Sequence, residues 1–297
     1  MVMNMERITD IPKLWPRPRD ANKGDFGKVL IVGGCRDFVG APSLAANAAL
    51  RSGAGLVTVG VGRSIQTAVV SLAPCATSMG LPEDEHGMIS EAGVSELLEA
   101  VVARKRFDVV AVGPGLGRAR AVVRLIEEVV RAAIPLVVDA DGLNVLAEGH
   151  WPGKLGGPCV ITPHPGELSR LVKVSIPEIQ TDREHWAVEA VRRMAGGKEQ
   201  SGAVCLLKGN RTVVTNGGWM YINTTGNPGM ATGGTGDVLT GVIAALVGQG
   251  LSTFDAAVLG SHVHGLAGDL AAEAVGEISL IASDLIHYLP AAFKRLA

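Results

Sequence analysis

The strongest constraint on the fold is a set of short runs that are apolar on consecutive positions: Val29 to Val32, Val109 to Val112, Leu136 to Val138 and Val204 to Leu207. A strand with one wet face alternates apolar and polar residues, whereas a strand covered on both faces does not. These runs predict a mostly parallel sheet between two helical layers. Leu56 to Val61, Cys159 to Thr162 and Thr212 to Thr215, rich in β-branched residues, extend it. Segments of helical spacing fall between the runs, at Pro42 to Ser52, Glu91 to Ala103, Ala119 to Ala132, Pro165 to Leu171 and Asp182 to Met194. That alternation is expected of βαβ units. Trp219 to Asn223 offers one last strand, after which Asp237 to Gln249, Thr253 to Val275 and Ser283 to Arg295 read as successive helices. The early and middle chain supplies the sheet and the tail covers it.

The Gly/Pro-rich stretches Trp151 to Pro158 and Ala195 to Gly202 are short and flanked by the same alternation, so they read as loops within one α/β domain over residues 1–297. A net charge of -2, from 27 basic and 29 acidic residues with no long basic run, leaves no footprint for nucleic acid or an anionic membrane. With 39 glycines and 4% aromatic residues, the chain favours tight turns around a small-molecule site over an aromatic docking surface. Cys35, Cys75, Cys159 and Cys205 form no C-x-x-C pair and read as small buried hydrophobes. Met1 to Arg19 is broken by charges and prolines and reads as no signal peptide, and the apolar run Val238 to Val247 is too short to span a bilayer. A reduced, cytoplasmic location is expected.

Asn227-Pro-Gly-Met-Ala-Thr-Gly-Gly-Thr-Gly-Asp237 runs directly into the apolar helix. Its glycines, Gly234 and Gly236 among them, let backbone N–H groups turn inward, and the helix start adds the positive end of its dipole, a setting for phosphate or a phosphoryl group in transfer. Asp237 at that mouth can take the proton of an attacking hydroxyl, or it can simply cap the helix; after such an approach the catalytic reading is preferred, and one carboxylate can do both. No G-x-x-x-x-G-K-[ST] or G-x-G-x-x-G pattern is present, which demotes the common P-loop and the dinucleotide oxidoreductases.

Lys208, Gly209, Asn210, Arg211 and Thr212 follow a buried strand and offer charge and close backbone approach to phosphates, or a solvated turn. Gly113-Pro-Gly-Leu-Gly117 follows another strand, with Gly115 and Gly117 the better ligand contacts. His164 lies on a loop stiffened by two prolines, with Glu167 three residues on. Asp139 and Asp141, with Asn144 beyond, stand at a strand end, where they suit either a magnesium ion or turn and cap chemistry. His262 and His264 face different sides of a helix and make no shared metal site.

These segments, with Lys23-Gly-Asp-Phe-Gly-Lys28, Gly40-Ala-Pro-Ser43, Ala49 to Leu56 and Asp139-Ala-Asp-Gly-Leu-Asn144, resemble in order and spacing the ADP/ATP-dependent NAD(P)H-hydrate dehydratases of the ribokinase-like superfamily. The resemblance covers nearly the whole chain. It implies a three-layer αβα fold and adenine-nucleotide binding by Lys208, Gly209, Asn210, Arg211, Thr212 and Gly236. It also implies contacts to the hydrated nicotinamide from Ala41, Gly117, His164 and Asp237, with Asp237 as base.

The implied reaction dehydrates the S epimers of NADHX and NADPHX to NADH and NADPH. ADP is the preferred donor over ATP, magnesium accompanies it, and the chain acts as a homo-oligomer, a tetramer by family habit. Phe38 departs from a frequent tyrosine. Only residues 1–22 precede the first motif, so a fused epimerase is not expected and a separate one would be the functional partner. Two competing readings stand: a vitamin-precursor alcohol kinase of the same superfamily, and a non-catalytic adenine-nucleotide sensor.

Overall fold

The computed structural model describes residues 5–150, 155–196 and 202–296, so parts of the two Gly/Pro-rich loops and the extreme N-terminus lie outside the described residues. Its strands are β1 (Glu6–Ile8), β2 (Lys28–Val32), β3 (Leu56–Gly62), β4 (Thr77–Leu81), β5 (Val109–Val112), β6 (Leu136–Val138), β7 (Cys159–Ile161), β8 (Ala203–Leu207), β9 (Val213–Thr215) and β10 (Trp219–Ile222). They form one ten-stranded sheet in the order β1-β10-β9-β8-β7-β6-β5-β2-β3-β4. Only β9 runs against its neighbours, pairing antiparallel with β8 and β10; the other pairings are parallel.

The helices are α1 (Gly40–Arg51), α2 (Gln66–Leu72), α3 (Glu91–Leu98), α4 (Arg120–Arg131), α5 (Ala140–Val145), α6 (Pro165–Val172), α7 (Ile176–Thr181), α8 (Arg183–Ala195), α9 (Thr235–Gly248), α10 (Thr253–Val275) and α11 (Ala282–Leu296). Alternate residues of each central strand enter opposite cores. Val29 and Ile31 pack with α1, α2 and α9 to α11, while Leu30 and Val32 pack with α3 to α8. The three-layer αβα architecture expected from the apolar runs is the one observed.

The edge strands β1 and β4 and the short helices α2, α5 and α7 were not legible in the apolar pattern. Edge strands bury one face and one row of backbone groups at most, so a polar run such as Glu6-Arg-Ile8 suffices there. Buried Cys35, Cys159 and Cys205 match expectation, but Cys75 is exposed. No helix among the described residues is long and apolar enough to cross a membrane.

Strand order reverses at β2. The chain moves outward through β3 and β4, returns to the other side of β2 as β5, and then proceeds through β6, β7 and β8. Such a switch point opens a crevice at the carboxyl ends of the strands. Gly34 after β2 donates its N–H to the Pro114 carbonyl after β5 at 2.8 Å, tying the two walls of that crevice together.

Candidate functional site

The loops of Gly113 to Gly117, Asp139, His164 and Lys208 emerge from the carboxyl ends of β5, β6, β7 and β8, and the glycine-rich approach to α9 follows β10, which runs parallel to β8. A cavity of about 640 Å³ opens there, within the usual range for small-molecule sites. Lys208, Gly209, Asn210, Arg211 and Thr212 form one wall, His164 sits at the edge, and Thr235 and Gly236 of α9 close the floor. Arg211 holds a left-handed backbone, φ 54°, unusual for a side-chain-bearing residue and a mark of a tightly specified turn.

The helix α9 begins two residues earlier than expected, at Thr235, so Asp237 lies within its first turn and is not its cap. The cap position belongs to Gly234, whose φ of 90° needs glycine and which makes no side-chain cap bond. A Cβ at Gly234 would lie 4.0 Å from Asp237 Oδ2 but only 2.7 Å from Leu44 Cδ1 on α1. The Asp237 carboxylate thus faces the α1 side, where Ala41 begins the helix, while Gly236 faces the cavity. Gly115 packs against Phe38, and the Gly117 N–H is held by Asp141 Oδ2 at 2.9 Å. Asp237 stands in the first turn of α9, next to the cavity-lining Thr235 and Gly236 and within the field of Asp139 and Lys208.

Beside that turn lies a buried charge network. Lys208 Nζ pairs with Asp139 Oδ1 at 2.8 Å and approaches Glu167 Oε2 at 3.7 Å. The other oxygen of Asp139 accepts from Thr240 Oγ1 at 2.8 Å, and the Asp139 side chain is only 2% exposed. Burial opposes the Lys208 charge, but the Asp139 and Glu167 carboxylates more than offset it, so its pKa lies above the ordinary value. Burial, and then the Asp139 charge, push Asp237 up to about 7, with Lys208 pulling the other way. A carboxylate in that position is a competent base near neutrality.

His164 caps α6: its Nδ1 accepts from the Gly166 N–H at 3.0 Å, while Glu167 Oε2 accepts from the His164 backbone at 2.8 Å. Burial lowers the His164 pKa, and its Nε2 lies 3.5 Å from Glu167 Oε1. The ring therefore serves the α6 cap while lining the edge of the cavity.

The choice left open for Asp139 and Asp141 resolves toward scaffolding. Asp139 is engaged by Lys208 and Thr240, and Asp141 by Gly117 and by Asn144, whose Nδ2 lies 3.3 Å away. Asn144 in turn accepts from Arg170 Nε at 3.0 Å. Among the described residues no group of three or more His, Cys, Asp or Glu side chains is arranged to hold a metal ion.

Three residues of the site escaped the sequence reading. Thr240 anchors Asp139; its signal was a hydroxyl inside the apolar run Val238 to Val247. His264, passed over as half of an H-x-H pair, is buried and bonds the Thr235 carbonyl through Nε2 at 2.9 Å, steadying the first turn of α9; burial first of all pushes its pKa down to about 4. Asn223 closes the far end of the cavity, bonding the Thr225 and Ser261 carbonyls. An asparagine closing a strand carries no sequence signal by itself.

Comparison with known proteins adds an independent line. The family model described as NAD(P)H-hydrate dehydratase matches residues 29–291. A bifunctional NAD(P)H-hydrate repair enzyme of Moorella thermoacetica is 45% identical over 283 residues, 94% of this chain and 52% of the relative. The chain spans about half the length of several such bifunctional relatives. An ADP-dependent (S)-NAD(P)H-hydrate dehydratase of Neisseria meningitidis is 35% identical, with 88% of this chain and 82% of that protein covered. In structure, an ADP/ATP-dependent NAD(P)H-hydrate dehydratase of Bacillus subtilis, co-crystallised with ATP and Mg2+, superposes with a TM-score of 0.81 at 31% identity, covering 95% of this chain and 94% of that one. The ribokinase-like sheet, the glycine-rich start of α9 and these matches together place the chain in the NAD(P)H-hydrate dehydratase family.

Proposed function

We propose that the protein dehydrates the S epimers of NADHX and NADPHX to NADH and NADPH, with ADP as the preferred phosphoryl donor, converted to AMP and phosphate. The observation that carries this reading is the placement of Asp237, a base of raised proton affinity, in the first turn of α9 directly after Thr235 and Gly236, which line a nucleotide-sized cavity with the Lys208 to Thr212 loop. Asp237 takes the proton of the substrate hydroxyl as that oxygen attacks the terminal phosphoryl group of the nucleotide. Backbone N–H groups around Gly234 and Gly236, at the positive end of α9, stabilise the transferred group. The C–O bond to the phosphorylated oxygen then breaks, releasing phosphate in place of a poor hydroxide leaving group, and a proton leaves the adjacent ring carbon to solvent, so that the ring double bond re-forms.

Lys208 to Thr212 hold the nucleotide, with Asn210 and Thr212 as polar contacts. His164, half-exposed at the cavity edge, contacts the substrate, and Phe38 offers a stacking face in place of a hydroxyl. Magnesium enters as the ion accompanying the nucleotide phosphates, where it neutralises charge. A cytoplasmic location and pairing with an epimerase are proposed on the same resemblance. A homotetramer is proposed as well; exposed Val275, Ile278 and Ile281 supply apolar surface for association, and light scattering tests it.

Incubation of the protein with enzymatically prepared NADH hydrate, magnesium and either ADP or ATP tests the reading through the near-ultraviolet absorbance of the reduced nicotinamide. A nucleotide-dependent rise supports the dehydratase and identifies the donor. Accumulation of a phosphorylated substrate with no such rise would instead mark a kinase.

Two further results are expected. Because Asp237 works only when deprotonated and its pKa is about 7, kcat/KM should rise tenfold per pH unit below about 7 and level off above it. A plateau that persists well below pH 6 removes Asp237 as the base. Arg211→Ala should weaken ADP binding by about tenfold, the worth of one charge-assisted phosphate contact, and leave kcat at saturating ADP nearly unchanged; isothermal titration and steady-state kinetics check both.

A further inference from the structure

Lys208 belongs by sequence to the nucleotide loop, yet its ammonium is tied to carboxylates of two other segments. Its partners are Asp139 on α5's approach at 2.8 Å and Glu167 on α6 at 3.7 Å. A Cβ at Gly236 would lie 3.4 Å from Lys208 Nζ and 3.7 Å from Asp139 Oδ2, so the pair sits directly under the residue that precedes Asp237. Asp139 is fixed in turn by Thr240, one turn further along the same helix as Asp237. The tie from Thr240 through Asp139 to Lys208 closes a loop between α9, the end of β6 and the end of β8.

We propose that Asp139 is a positioning residue: anchored by Thr240, it holds the Lys208 ammonium under Gly236 and keeps it from forming a contact ion pair with Asp237. The inference rests on the assignment of Asp237 as base. An ammonium released onto Asp237 would stabilise its ionised form and weaken it as a proton acceptor. The charged and titratable groups facing this cluster are Asp139 before α5, His164 and Glu167 of the α6 cap, Lys208 after β8, and His264 of α10. Asp139 acts on Asp237 in two ways of the same sign. Its own negative charge raises the Asp237 proton affinity, and it ties down the cation that would lower it.

The test is a set of charge variants compared through the acid limb of kcat against pH at saturating nucleotide. Asp139→Asn should move the limb down by at least about one pH unit and lower the plateau kcat. Lys208→Gln should move it up. The double variant, which removes one charge of each sign, should return the limb close to its wild-type position. A role for Asp139 in folding alone predicts a lower rate or a lower melting temperature with the limb unmoved in all three, and that outcome overturns the proposal.

Should Asp139→Asn fail to fold, the charge-balanced double variant against Lys208→Gln still carries the comparison; a limb at the same pH in both overturns it. A readout free of turnover is the carboxyl 13C titration of the aspartate resonance lost in Asp237→Asn. If the wild-type protein has no dehydratase activity but that resonance shifts as described, the functional reading fails and the positioning device stands. If activity is present and the resonance titrates identically in all variants, the device fails and the function stands.

Discussion

Asp237→Asn is expected to lower kcat by about 100- to 10,000-fold while leaving the dissociation constant for ADP within about threefold of wild type. Asparagine keeps the shape and the local hydrogen bonding but has no basicity, so the loss reports proton transfer alone. The cavity proposed to take the nucleotide is lined by Gly236, Thr235 and the Lys208 to Thr212 loop, and Asp237 is not among its lining residues, which is why binding should survive.

Stability should move the other way. A carboxyl whose native pKa of about 7 exceeds the ordinary 3.8 binds its proton more tightly when folded. Its contribution favours the native state at acid pH and fades as pH rises from the lower value through the higher. Asp237→Asn should therefore melt no lower than wild type at pH 8, and relatively higher at pH 8 than at pH 4. A variant that keeps its rate sinks the mechanism; one that loses ADP binding moves Asp237 into the nucleotide site.

Gly113→Ala should destabilise the fold by on the order of 3 kcal/mol, a melting-temperature drop of roughly 5 to 10 °C for a chain of this size. Two independent costs combine. The backbone at Gly113 has φ 124°, a region that L side chains rarely enter. An added methyl would also lie 1.9 Å from the Asp139 carbonyl oxygen and 2.8 Å from the Gly142 amide, and both are main-chain atoms that cannot swing aside. Relief requires separating the end of β5 from the start of α5. That motion carries Asp139 with it, so the surviving activity should fall further than stability alone predicts. Calorimetry and kinetics well below the melting temperature separate the two effects, and a melting temperature within a degree of wild type contradicts the packing described.

The sheet was legible because strands covered on both faces leave no other pattern: Val109 to Val112 is apolar throughout, and its alternate residues enter both cores. The edges were not, since the Glu6 to Ile8 pairing with β10 is a long-range backbone event that leaves no trace in three mixed residues. Within the site, the glycine-rich approach to α9 and the Lys208 loop were readable from local chemistry. What the sequence hid were relations across the fold. Lys208 reads as a phosphate ligand until β6 and β8 bring Asp139 within 2.8 Å of it, residues 69 apart in the chain. His264 reads only as half of an H-x-H pair without a shared metal site until α10 is laid against the start of α9.

The helix behind Asp237 is buried from Val238 through Val247, with α1, α10, α11 and the sheet around it. Such a helix has no free face on which to accumulate change, and at each of those positions a substitution alters core packing before it can alter chemistry. The base is therefore inherited as a fixed point. Divergence in what the protein accepts is left to exposed positions of the segments that surround it, such as Arg36 to Phe38 and Asn210 to Arg211, whose side chains lie outside that packing. A selection experiment for new alcohols on this scaffold would find its tolerated changes in those loops, with the helix core unaltered.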